Sequence, residues 1–175
     1  MMMDETVPTS MPQEMIQSQF EPRLLTDFEG QHSIRLRLEL ELRACVVEKR
    51  MSRHMLAHGP AGIGKTILGR VLARTGMVPC VQNVGAEFDS DKRAREIMHM
   101  ILNKYGTYPI VWLIDEIDVM RYGAATTFHN LMTSSTENRG YGYFIENGEQ
   151  VFMPPLTIYG TTNFKANMPR ALKSR

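Results

Sequence analysis

Short apolar runs alternate with segments of helical period along most of the chain. Strands are predicted at residues 54–58, 78–84, 110–114 and 156–161. Helices are predicted from about 64 to 74, from Asp89 or Ser90 to about 105, and from 124 to about 135. Strands that alternate with helices predict an α/β fold, with a parallel sheet that carries helices on both faces.

Residues 33–50 (SIRLRLELELRACVVEKR) fit two structures. The strict alternation from Ile34 to Leu42 indicates a strand, whereas Leu, Arg and Glu all favour a helix. In a helix, Arg35 would pair with Glu39, and Arg37 with Glu41. The residues alone leave both structures open.

Two other segments have local signatures. Residues 143–152 carry Asn147-Gly148 between two short apolar-polar runs, which is typical of a β-hairpin with a tight turn. Residues 1–19 are rich in Met, Gln, Pro, Ser and Thr without periodicity, and we interpret them as a flexible N-terminal arm. The remaining 20–175 are predicted to form one domain.

The bulk composition is that of an ordinary globular protein. The 175 residues are 43% hydrophobic and 22% charged, with a net charge of +1, which gives no independent indication of a nucleic-acid partner. Two cysteines are too few for a disulfide framework or a zinc site. The sequence shows neither a transmembrane run nor a signal peptide, so we expect a cytoplasmic protein with no membrane partner.

The segment HGPAGIGKT, residues 58–66, has the spacing of a phosphate-binding loop. Its glycines would let the backbone approach a phosphate and aim N–H groups at it from the start of the next helix. Lys65 would reach the β and γ phosphates, and the Thr66 hydroxyl would bind Mg²⁺. Since the motif lies between a predicted strand and a predicted helix, it predicts nucleotide binding.

Two further motifs place polar residues after buried strands. In IVWLIDEID, residues 110–118, Asp115 would hold Mg²⁺ and Glu116 would activate the attacking water; the alternative is a carboxylate pair that caps the next helix. In LTIYGTTN, residues 156–163, the Asn163 amide could bind the γ-phosphate or that water, although Thr and Asn are also common in turns.

The order GPAGIGKT, LIDEID, YGTTN and ALKSR resembles the AAA+ ATPases. Within them, the chain is most similar to the RuvB-type Holliday-junction branch-migration motors, over about residues 20–175. The segment FEPRLLTDFEGQ, starting at Phe20, resembles the entry segment that lines the adenine pocket in that family. The resemblance implies these nucleotide-binding residues: Phe20, Phe28, Gly30, Gly59, Pro60, Ala61, Gly62, Ile63, Gly64, Lys65, Thr66 and Ile67.

The resemblance also implies a function and settles an ambiguity. It makes 33–50 a helix. It also implies an ATP- and Mg²⁺-dependent DNA helicase of recombination and repair, which acts on four-way junctions as a homo-oligomeric ring, expected to be a hexamer. The hairpin 143–152 would dock a junction-binding partner protein; packing on its own domain is the alternative. The apolar contacts would be Tyr143, Phe144, Ile145, Val151 and Phe152.

The last residue of the sequence also matches the family pattern. Arg175 is similar to an arginine finger, which would act in the ATP site of the neighbouring subunit. The family continues with a last strand and a helical lid, both absent here. We therefore expect strand 54–58 to be an exposed edge, and residues 1–175 alone to bind nucleotide weakly and hydrolyse it poorly.

Three departures leave other functions open. Asn163 stands where RuvB-type proteins usually have a basic residue, Glu21 stands where they usually have Arg, and the Ser-Arg ending at Arg175 resembles the clamp loaders. A clamp-loader-like ATPase is therefore the first alternative. A non-catalytic module that assembles when it binds ATP is the second.

Overall fold

Six strands form two sheets in the computed structural model, which describes residues 21–132 and 141–173. The strands are β1 (Met55–His58), β2 (Cys80–Val84), β3 (Ile110–Asp115), β4 (Tyr143–Glu146), β5 (Glu149–Phe152) and β6 (Leu156–Thr162). Within this part of the chain, β1-β6-β3-β2 is a parallel sheet, and β4 and β5 form an antiparallel hairpin. As expected, β1 lies at an edge of the parallel sheet.

The helices alternate with the strands as predicted. They are α1 (His32–Glu48), α2 (Lys65–Thr75), α3 (Asp91–Tyr105), α4 (Tyr122–Leu131) and the short α5 (Arg170–Lys173). Ser90 is the N-cap of α3, and its hydroxyl accepts the backbone N–H of Arg93 at 3.1 Å. The helix expected at 124–135 begins earlier and ends earlier, and part of its expected range lies outside the described residues.

Helices cover both faces of the parallel sheet, which confirms the predicted architecture. On β3, Ile110, Trp112 and Ile114 pack in one core with α3, α4 and Phe144 of the hairpin. The alternate residues, Val111 and Leu113, pack with α1 and α2 in the other core. The central strands β3 and β6 are buried almost throughout, which for β3 confirms the prediction from its continuous apolar run.

Residues 32–48 form a helix, as the resemblance implied. Leu38 is buried against the second core, whereas Leu36 and Leu40 face solvent, so the alternating pattern does not correspond to one buried face. The pair Arg35–Glu39 forms at 3.6 Å. The expected partner of Arg37 is engaged elsewhere: Glu41 contacts Arg50 at 2.7 Å, and this hydrogen bond lowers the pKa of Glu41.

The hairpin at 143–152 forms as predicted and packs through one of its faces. Phe144 is fully buried and meets the ring of His99 edge-on at 5.2 Å, and the His99 imidazole lies 2.8 Å from Glu146. Phe144 and its cross-strand neighbour Val151 therefore belong to the domain core. The opposite face carries Tyr143, Ile145 and Phe152.

The described helices give no indication of a membrane span. None of them is both long enough and apolar enough to cross a bilayer.

Candidate functional site

The loop between β1 and α2 has the backbone of a phosphate-binding loop. Gly62 and Gly64 have positive φ angles of 82° and 85°, which glycine adopts without steric cost. Gly64 is the N-cap of α2 and has no side chain to bind the first N–H groups of the helix. These N–H groups and the positive end of the helix dipole suit an anion.

The Lys65 ammonium lies at the centre of this loop. Its Nζ donates hydrogen bonds to the carbonyl oxygens of Gly59 and Pro60, at 2.8 and 2.7 Å, and to Oδ1 of Asn163 at 2.9 Å. Three donors thus meet three acceptors. Because Asn163 uses its oxygen for Lys65, its Nδ2 group is the part that can donate to a ligand.

Tyr159 of β6 connects the sheet to the start of α2. Burial, and secondarily the charge of Asp115, raises the pKa of Tyr159, so its hydroxyl stays protonated and donates to the Lys65 carbonyl at 3.2 Å. A Cβ on Gly69 would lie 2.7 Å from the Tyr159 ring, so this glycine allows α2 to approach β6 closely. The packing positions Lys65 and Thr66 above the sheet edge.

The Asp115 carboxylate accepts three hydrogen bonds from side chains in and beside the cleft. Its Oδ1 accepts hydrogen bonds from the hydroxyls of Thr66 and Thr161, at 2.7 and 3.0 Å. Its Oδ2 accepts one from the Gln82 amide at 2.9 Å. Asp115 and Thr66, 49 residues apart in sequence, are therefore in direct contact.

Glu116 has a left-handed backbone, with φ 51° and ψ 47°, which costs a residue with a side chain about 1 kcal/mol or more. Two contacts hold it: its N–H donates to Thr161 Oγ1 at 3.2 Å, and Gly85 packs against its carbonyl. A Cβ at position 85 would lie 2.1 Å from that oxygen. The exposed Glu116 side chain is thereby presented at the cleft.

A second depression adjoins the phosphate-binding loop. Phe28, largely buried, lies against Gly64, with its Cζ 3.3 Å from where a Cβ would be. Glu21 also lines this depression. Gly30, expected in the adenine pocket, is at the turn before α1 with φ 79° and is not among the lining residues. Phe20 and Arg175 lie outside the described residues.

One continuous region therefore brings together most of the residues named from the sequence. The main cleft is lined by Ala61, Gly62, Gly64, Lys65, Thr66, Ile67, Val84, Asp115, Glu116, Thr161, Thr162 and Asn163. Ile63 lines the adjoining depression, and Gly59 and Pro60 bind Lys65. The sequence motifs did not identify Gln82, Val84 or Gly85, which reach the site only because β2 pairs with β3.

No cluster of three or more His, Cys, Asp or Glu side chains that could hold a metal occurs within residues 21–132 and 141–173. The donor set at Thr66 and Asp115, one hydroxyl and one carboxylate, instead suits Mg²⁺, which proteins usually bind through one or two carboxylates together with substrate phosphates. A phosphate-binding loop, a parallel sheet and this donor pair define a P-loop nucleotide-binding domain.

Comparison with known families gives the particular member of that class. The family described as the Holliday junction DNA helicase RuvB P-loop domain matches residues 20–175. The chain belongs to this family.

Curated relatives carry the same name. "Holliday junction branch migration complex subunit RuvB" of Paenarthrobacter aurescens is 28% identical over 172 residues, which cover 92% of this chain and 44% of the relative. The subunit of that name from Gluconobacter oxydans is 39% identical over 70 residues, 40% of this chain and 20% of the relative. The chain spans less than half the length of each.

Solved structures agree on the fold. The Thermotoga maritima RuvB Holliday junction branch migration motor superposes with a TM-score of 0.70 and 22% identity, over 89% of this chain and 46% of that chain. A point mutant of the same protein gives a TM-score of 0.73.

Proposed function

We propose that the chain is the ATP-hydrolysing part of a DNA motor that moves four-way junctions in the cytoplasm. The observation that supports it most directly is the contact of Lys65, Thr66, Asp115 and Asn163 in one cleft, with Glu116 at its side. The names of the relatives supply the DNA substrate, since the near-neutral charge of this chain does not.

Binding of ATP follows from the arrangement of donors. The N–H groups at the start of α2 would bind the β and γ phosphates, and Lys65 would exchange carbonyl partners for phosphate oxygens. Thr66 and Asp115 would hold Mg²⁺, which neutralises phosphate charge when bound. Phe28 and the adjoining depression would receive the nucleoside.

Hydrolysis would use the side chain that the strained backbone presents. Glu116 would orient a water molecule and accept its proton as the water oxygen attacks the γ-phosphorus. The bond from the γ-phosphorus to the bridging oxygen breaks, which yields ADP and inorganic phosphate. The Asn163 Nδ2 group would donate a hydrogen bond to the γ-phosphate. Arg175 would complete the site of a neighbouring subunit in a ring, with a hexamer as the expected form.

The proposal is tested with the complete gene product that contains this chain. We expect it to move the strands of a labelled four-way junction in ATP, but not in a non-hydrolysable ATP analogue. Ring assembly is followed by sedimentation in both nucleotides. Equal assembly in both, with no ATP hydrolysis and no strand movement, would support a non-catalytic assembly module instead.

The outer face of the hairpin is a proposed docking surface for the junction-binding partner. Tyr143, Ile145 and Phe152 share this face, and the rings of Tyr143 and Phe152 lie 6.1 Å apart. Phe152 is 46% exposed, whereas Phe144 is 0% exposed. Phe144 therefore cannot be a partner contact, and Val151, partly buried, packs on the core side, so Tyr143, Ile145 and Phe152 are the contacts proposed from the five-residue set expected from the sequence.

The two phenylalanines give a matched pair of variants. Phe152→Ser is expected to weaken partner binding about 30-fold, the usual effect of losing an aromatic anchor, and to leave stability nearly unchanged. Phe144→Ser is expected to lower the free energy of unfolding by about 3–5 kcal/mol, because it opens a cavity in the core.

Partner affinity is measured by titration with the purified junction-binding subunit of a branch migration complex. Stability is measured by urea unfolding, with the fluorescence of Trp112, the single tryptophan, as the signal. Normal partner binding by Phe152→Ser would contradict the docking surface.

A further inference from the structure

Gln82 binds the oxygen of Asp115 that the threonines leave free. It lies on the edge strand β2, where it pairs with Leu113, two residues before Asp115. Its Nε2 donates to Asp115 Oδ2 at 2.9 Å, whereas Thr66 and Thr161 both donate to Oδ1. Both oxygens of this carboxylate are therefore held, from opposite sides, and its plane cannot rotate without breaking a hydrogen bond.

Arg70 determines which end of the Gln82 amide faces Asp115. The Arg70 Nε group donates to Gln82 Oε1 at 3.2 Å. A guanidinium can only donate, so the amide oxygen must face Arg70 and the amide N–H group must face the carboxylate. Rotation of the amide by 180° would place an oxygen against an oxygen and a donor against a donor. Arg70 itself is fixed by Glu21, with the atoms of the ion pair 3.1 Å apart.

We propose that Gln82 is a positioning residue that raises the affinity of Asp115 for Mg²⁺, with Arg70 as the group that orients it. The inference rests on the proposed function, because it assumes that Asp115 holds Mg²⁺ together with nucleotide phosphates. Mg²⁺ demands near-ideal octahedral geometry, so a carboxylate held in one plane binds it better than one that rotates. Groups that orient a metal ligand commonly change metal affinity about 10- to 100-fold.

The location of Gln82 argues against a purely structural role. The residue is exposed, so its replacement removes no core contact. It is also not among the residues that line the cleft, and it is connected to the cleft by its hydrogen bond to Asp115. The amide can therefore affect ligand binding mainly through Asp115.

The test is a Mg²⁺ titration of the complete gene product that contains this chain, at a fixed concentration of the fluorescent nucleotide mant-ADP. Gln82→Met keeps the length of the side chain but removes the amide, and we expect it to raise the Mg²⁺ concentration at half-saturation about 10-fold. Affinity for mant-ADP in excess EDTA is expected to stay unchanged. Arg70→Met is expected to raise the half-saturating Mg²⁺ concentration by a smaller factor, because the amide remains but is free to rotate.

Arg74→Met is the matched control. Arg74 lies one turn further along α2 and also pairs with Glu21, at 3.6 Å, but it contacts Glu21 and the Pro22 carbonyl of the entry segment rather than Gln82. It is expected to keep the Mg²⁺ dependence of the unmodified chain. Urea unfolding of each variant separates a loss of stability from a loss of Mg²⁺ affinity.

The outcomes distinguish two failures. If the unmodified gene product binds mant-ADP with a clear Mg²⁺ dependence and its Gln82→Met variant shows the same dependence, the role of Gln82 is wrong and the proposed function stands. If the unmodified gene product shows no Mg²⁺ dependence or no nucleotide binding, the proposed function itself is contradicted. An equal change in Arg74→Met would also overturn the inference, since it would indicate a general effect of charge loss on α2.

Discussion

Replacing Glu116 by Gln is expected to leave ATP bound and to slow its hydrolysis about 10³-fold. The amide keeps the size and hydrogen-bonding reach of the carboxylate but cannot accept the proton of the attacking water. The left-handed backbone at this position is held by Thr161 and Gly85, neither of which the substitution changes. The binding groups on Lys65 and Thr66 are likewise unaffected.

The measurement is a single-turnover experiment on the gene product, in which protein exceeds radiolabelled ATP, so that slow cleavage is detected. ATP binding is followed in parallel by filter retention. Glu87→Gln is a matched control, because Glu87 is an exposed carboxylate after β2 that accepts hydrogen bonds from Asn83 and from the N–H of Val84 and does not itself line the cleft. Undiminished hydrolysis by Glu116→Gln would show that another group accepts the proton.

Replacing Lys65 by Met is expected to weaken binding of mant-ATP about 100-fold, since truncating one partner of a buried charge pair costs several kcal/mol. The substitution also removes the hydrogen bonds that connect the loop carbonyls to Asn163, so the loop and the end of β6 lose their shared contact. Both effects lower the affinity for mant-ATP. The affinity is measured by fluorescence titration in excess Mg²⁺.

Lys92→Met is the control for the loss of a positive charge. Lys92 is exposed in the first turn of α3, far in sequence from the phosphate-binding loop, and it does not line the cleft. We expect its mant-ATP affinity to equal that of the unmodified chain. Equal affinity for Lys65→Met would contradict the assignment of the phosphate-binding loop.

Strand β3 at the centre of the sheet was predictable because the residues that it buries are consecutive and apolar. Ile110 to Ile114 is apolar throughout, and the structure buries it on both faces between the two cores. Residues 32–48 were not predictable from their own pattern. The alternation of apolar and polar residues is typical of a strand. In the structure the segment is a helix that packs Leu38 into the core with α2 and the sheet, while Leu36 and Leu40 stay exposed.

The positions of site residues were predictable from the sequence where all the residues concerned belong to one motif. Lys65 and Thr66 follow the loop glycines directly, and Asp115 ends a buried strand, so their positions follow from local structure. Gln82 and Gly85 reach the site through the pairing of β2 with β3, and no residue near Gln82 in the middle of β2 marks it as functional. Such residues are recognised only from the tertiary structure.

The hairpin was also predictable only in part. Its turn was predictable from Asn147-Gly148, both of which have positive φ angles. The sequence did not predict that Phe144 rather than Phe152 faces the core, because this depends on how the hairpin packs on α3 and α4.

This arrangement bears on how the segment tolerates sequence change. Tyr143, Ile145 and Phe152 lie outside the core, so sequence change there can be accommodated without loss of the fold. Phe144 lies in the core and Val151 packs against it, so substitutions there are penalised whatever binds the hairpin. Neighbouring positions of one short hairpin are thus subject to different selection pressures, and its outer face can change while the domain beneath it is preserved.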